Sequence, residues 1–131
     1  MQQVNVIAVL VAALSSFLLG GAWYSKLLFG QAWHRASGAT KEPEQRHPGR
    51  VFGVSFLFAL AAAFAYALLM PPAPNAGVAL GQGLAVGAGL VATSFGINYQ
   101  FANRSMVMWL IDGGYHAAQF AIYGLILGLW R

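Results

Sequence analysis

The chain has 131 residues, of which 59% are hydrophobic and 8% charged, with a formal net charge of +4. Soluble domains are nearer a quarter charged, so this composition excludes an ordinary water-facing surface and makes a bilayer the natural solvent. Cysteine is absent, which excludes disulfides, thiolate metal sites and cysteine nucleophiles.

The length suits a single domain, residues 1–131. A bilayer core takes about 20 apolar residues of helix, and four stretches reach that: residues 4–24, 51–70, 78–99 and 106–130. Their solid apolar runs lack the period-2 alternation of a membrane barrel. The predicted fold class is therefore all-α, a polytopic integral membrane protein built as a four-transmembrane-helix bundle.

The first stretch begins Met1-Gln2-Gln3-Val4, with no basic segment ahead of it. Its apolar run exceeds the roughly 7–15 residues of a signal-peptide core, so it is expected to be a retained helix. Residues 26–50 form the long polar connection, with Lys26, Arg35, Lys41, Arg46 and Arg50 set against Glu42 and Glu44. Residues 37–43 read as a flexible loop. Residues 27–33 are still apolar and aromatic, and Trp33 is expected at headgroup level. Pro71, Pro72 and Pro74 end the second helix. Arg104 marks the third connection, and Ser105 is a candidate N-cap for the fourth helix.

Basic residues fall in the first and third connections and not in the second. The positive-inside rule then predicts a cytoplasmic loop 26–50 and both termini outside, in the periplasm if the membrane is a bacterial inner membrane.

Small residues mark close helix approaches in lipid. Gly81, Ala85 and Gly89 share one stripe of the third helix, Gly83 and Gly87 another, and Gly124 and Gly128 make a G-x-x-x-G in the fourth. These faces suit packing within the chain, a homo-oligomer, or docking to a larger membrane-protein complex.

Asp112 lies about 9 Å into the fourth helix at 1.5 Å per residue, where a carboxyl group must avoid lipid. His116, Gln119 and Tyr123 follow at i+4, i+7 and i+11 and share its stripe. A carboxylate beside an imidazole can share a proton, so one reading is a proton- or cation-responsive site. The other is a structural lock, with Asp112 paired to His116, Arg104 or a helix-end amide. Ser94 and Asn98 sit at a similar depth in the third helix and are candidate partners. His34, His47 and His116 lack metal-ligand spacing, so no metal is expected. No cofactor fingerprint or nucleophile motif occurs. The diluted basic loop argues against nucleic acid, and the reading is non-enzymatic.

Gly20-Gly21-Ala22-Trp23-Tyr24-Ser25, then Leu28-Phe29-Gly30 and Ala32-Trp33, resembles the first-helix signature of the bacterial family called domain of unknown function 1761. Leu110-Ile111-Asp112-Gly113-Gly114-Tyr115 is similar to that family's last helix. The resemblance spans essentially the whole chain. The family typically has proline after the signature serine, where this chain has Lys26. The resemblance implies a small polytopic bacterial membrane protein and brings no established activity. It also draws Trp23, Tyr24 and Ser25 towards Asp112, either as an aromatic belt or as walls of one pocket.

The function expected from the residues is an interaction or accessory subunit, embedded in the lipid bilayer, that self-associates or docks on a larger complex. The alternative is a small oligomeric proton-coupled transporter or channel that uses Asp112 and His116.

Overall fold

The computed structural model describes residues 4–25, 27–36 and 48–130. The predicted flexible loop 37–43 lies outside them, as do Lys26, Glu44, Arg46, His47 and Arg131.

The described residues are helical, in the order α1 (Val6–Trp23), α2 (Gly30–Ala36), α3 (Pro48–Leu69), α4 (Ala76–Val86), a π-helical segment (Gly87–Ala92), α5 (Thr93–Phe101) and α6 (Met106–Leu129). Three helices are long and apolar enough to cross a membrane: Val6–Trp23, Gly49–Leu69 and the continuous run Ala76–Phe101. The residues of the fourth expected span form a helix, α6, whose 24 residues would reach about 36 Å at 1.5 Å per residue. It falls short of the other three in composition because Asp112, Tyr115, His116, Gln119 and Tyr123 dilute its apolar residues. The same helix is the most enclosed, packing against α1, α3, α4, the π-helical segment and α5. Leu18, Phe58 and Leu69, by contrast, are more than two-thirds exposed on the outer faces of α1 and α3, as side chains in contact with hydrocarbon would be.

Capping fixes the helix starts. Asn5 accepts from the Ala8 amide at 3.1 Å, Asn75 from Val78 at 2.9 Å and Ser105 from Met108 at 3.1 Å. Each satisfies an amide that the first helical turn leaves without a partner. Asn103 adopts a left-handed φ of 57° between α5 and α6, which asparagine tolerates better than most residues.

The π-helical segment frees carbonyls that an α-helix would engage, and in lipid these need partners. Thr93 Oγ1 donates to Gly89 O at 2.8 Å, Ser94 Oγ to Leu90 O at 2.7 Å and Trp109 Nε1 to Ala92 O at 2.8 Å.

Glycines set the contact of this run with α6. A Cβ on Gly83 would stand 2.2 Å from Phe120 O, and one on Gly124 would stand 2.3 Å from Ala79 O. The two backbones therefore touch. Gly128 meets Ala73 and Ala79 across the same seam. The stripe expected from Gly81, Ala85 and Gly89 behaves otherwise. All three are exposed, and a Cβ on Gly81 or Gly89 meets nothing within 4 Å. Within the chain the Gly83 and Gly87 row packs, and the Gly81 row faces outward.

Candidate functional site: the Asp112 aromatic cage and the His116 relay

Asp112 is buried, 8% exposed. Tyr24 donates its hydroxyl to Oδ1, and Tyr99 donates to Oδ2. Trp33 Nε1 donates to the same Oδ2 at 3.2 Å. The set suits a carboxylate, which accepts and cannot donate. A phenol ordinarily titrates at about 10, so Tyr24 serves as a proton donor to the carboxylate.

Local chain geometry delivers these donors. After α1 the backbone folds sharply back, with Phe29 N donating to Trp23 O at 3.0 Å and Gly30 N to Ser25 O at 2.9 Å. A Cβ on Gly30 would stand 2.3 Å from Tyr24 O, so only glycine fits this return. α2 then begins at Gly30 and carries Trp33 onto Asp112. Trp23 Nε1 donates to the Ile111 carbonyl at 2.9 Å, and its ring lies against Gly114. Tyr24 also packs near Tyr115, with ring centroids 5.6 Å apart. Gly30→Ala is expected to pull Trp33 off the carboxylate. Tryptophan emission should shift and stability should fall by about 1–3 kcal/mol, the usual scale of overpacking; an unchanged spectrum and melting point would refute this.

Asp112 and His116 share a helical stripe but not a bond, and Arg104 makes none to Asp112 either. His116 Nδ1 instead meets Gln119 Oε1 at 2.7 Å. Gln119 Nε2 donates to the Tyr123 hydroxyl at 3.0 Å, and that hydroxyl donates to Ala59 O at 3.3 Å. The single stripe read from the sequence is thus two networks, an aromatic cage around Asp112 and a relay from His116 to α3. His116 also stacks on Phe95, with ring centroids 4.7 Å apart at 13°.

The other expected partners lie elsewhere. Ser25 Oγ turns back to Ala22 O. Ser94 and Asn98 are exposed, and Ser94 bonds its own helix. Arg104 is exposed beside Tyr99, at a small cavity of about 330 Å³. Tyr99, Trp33 and Trp109 carry site geometry that the sequence reading did not assign to them. The available signal was an aromatic residue within a helical turn of a predicted helix end for Tyr99 and Trp109, and one in the first connection for Trp33, which a membrane belt gives equally well.

A larger cavity of about 880 Å³ lies between α1, α3, the π-helical segment and α6, and His116 and Gln119 are part of its wall.

A family model described as "Protein of unknown function (DUF1761)" matches residues 7–128. No curated protein and no solved structure matches the chain.

Proposed function

We propose, from the premise that the chain belongs to the DUF1761 family, that it is a four-helix polytopic protein of a bacterial inner membrane. In this reading it is a non-enzymatic accessory subunit that self-associates or docks on a larger membrane complex. The observation that carries the reading is the outward row Gly81, Ala85 and Gly89, whose exposed backbone has open space in front of it. Small residues at i, i+4 and i+8 let a second helix approach closely, and packing rather than hydrophobicity drives such contacts in lipid. The enclosure of α6 by α1, α3 and α4 supports its being the fourth span, since its polar stripe is then shielded from lipid. The loop 26–50 is assigned to the cytoplasm and both termini to the periplasm, supported by the basic residues of the first and third connections. A non-enzymatic role is supported by Asp112, whose two oxygens already accept three donors and so offer little to a substrate proton.

The cysteine-free chain makes the test direct. Single cysteines at Gly81 or Gly89 are expected to crosslink in native membranes, to a second copy or to another membrane protein. Cysteine at exposed Leu14 or Phe58 is expected to crosslink far less. Gly81→Leu should weaken the association at least tenfold. Equal crosslinking at all four positions, or none at any, would contradict the reading.

The alternative, a small proton-coupled transporter or channel working as an oligomer, is favoured by the large cavity that His116 lines. It predicts that Asp112→Asn abolishes pH-dependent flux in a chain that still folds. Flux unaffected by that change would exclude it.

A further inference from the structure

The cavity beside His116 has a wall of unusual chemistry. It is walled by apolar groups such as Phe17, Phe52, Phe58 and Phe120, and among the described residues that line it none is Asp, Glu, Lys or Arg. Phe52 and Phe58 are also well exposed on the outer face of α3, so the cavity communicates with the hydrocarbon side of the protein. Its volume, about 880 Å³, falls within the range of small-molecule pockets.

The polar groups of the wall are mostly engaged already. Ser16 Oγ donates to Ala13 O at 2.7 Å, Tyr115 to Ser16 O at 2.8 Å and Tyr24 to Asp112. Both ends of the Gln119 amide are taken by His116 and Tyr123. The relay also fixes which way its protons point. Ala59 O can only accept, so the Tyr123 hydroxyl donates to it and must accept from Gln119 Nε2. Gln119 then presents Oε1 to His116, and Nδ1 must be the ring nitrogen that carries the proton. In the neutral ring Nε2 is left as a lone-pair acceptor, and it has no hydrogen-bond partner among the described residues. His116 is the eleventh residue of the 24 in α6, about 15 Å from its start and close to the middle of a span.

We infer that this cavity binds an uncharged, largely apolar molecule from the bilayer, whose hydroxyl donates to His116 Nε2. An apolar body fits the wall, and a hydroxyl is the complement of a lone acceptor in a low-dielectric site. A phosphate headgroup does not fit. It would be drawn to mid-membrane depth, where charge is costly, and would meet no cation in the described wall.

The test uses the full chain in phosphatidylcholine nanodiscs with ¹⁵N-labelled histidine, titrated with 4-hexylphenol, 4-hexylanisole and hexyl phosphate. The phenol is expected to move the His116 Nε2 resonance saturably. The methyl ether has the same apolar body and no donor, and should bind at least tenfold more weakly; hexyl phosphate should not compete. Gly21 lines the cavity and has open space at its Cβ position. Gly21→Leu is therefore expected to abolish the phenol response while the Nδ1 resonance of the relay stays in place. Equal binding of phenol and ether, tighter binding of the phosphate, no saturable shift, or an undiminished response in Gly21→Leu would each overturn the inference.

Discussion

Asp112→Ala is expected to destabilise the protein more than any other single change in α6. The substitution leaves Tyr24, Tyr99 and Trp33 as donors converging on an empty position. The three donors are half-buried around a buried carboxylate; a donor left unmet away from water costs about 1–3 kcal/mol, and removing one member of such a polar set is more damaging than replacing the whole set. A loss of about 3 kcal/mol or more is expected, a large fraction of a typical folding free energy of about 5–15 kcal/mol. Thermal unfolding in detergent, followed by helical circular dichroism, reads it. Asp112→Asn should fall between the wild type and Asp112→Ala. One oxygen remains to accept, while the amide nitrogen faces donors, of which Trp33 cannot reverse its role. An Asp112→Ala protein that melts with the wild type would show the cage to be dispensable.

Gly83→Leu is expected to be the second large effect. Its Cβ would stand 2.2 Å from Phe120 O and 2.8 Å from Ala121 Cα, both backbone atoms that cannot step aside. α4 and α6 must separate, and the seam that continues through Gly87, Gly124 and Gly128 opens with them. Overpacking typically costs about 1–3 kcal/mol, and a backbone contact belongs at the upper end. Gly81→Leu is the matched control, on the same helix with nothing within 4 Å of its Cβ, and should leave the melting temperature of the isolated chain within error. Equal destabilisation by the two substitutions would contradict the assignment of the inner and outer faces.

Much of the fold was legible because it is written locally. The apolar runs are solid, and Ser105 stands where an N-cap is needed. The prolines after Met70 end α3. The choice between the Gly81 row and the Gly83 row was not legible. Both repeat at i+4, and only the approach of α6 separates them. The π-helical segment adds to the difficulty, because its wider turn shifts the phase of the residues beyond Gly87 relative to a regular helix. The weaker apolar character of α6 has a similar cause. A polar stripe lowers the signal of the one helix that the others shield.

The site was legible in its centre and not in its partners. Asp112 draws attention because an acidic group in such a helix needs a reason. His116 at i+4 is the nearest partner the sequence offers, yet the carboxylate is satisfied from positions 13, 79 and 88 residues away along the chain. Trp33 reads as an interfacial aromatic and Tyr99 carries no assignment, since an indole or phenol in such a place serves a membrane belt or a buried carboxylate equally well in sequence. Gly30 was the missed clue. Its place after Trp-Tyr-Ser forces the return that brings Trp33 inward.

The division of the α6 stripe into two separate networks is tested most directly by double-mutant cycles on unfolding free energy. One cycle pairs Asp112→Asn with Tyr99→Phe, and the other pairs Asp112→Asn with His116→Phe. A coupling of about 1 kcal/mol or more is expected in the first, as for a hydrogen bond to a charged group, and a coupling within about 0.5 kcal/mol of zero in the second. A strong Asp112–His116 coupling with none to Tyr99 would contradict the account.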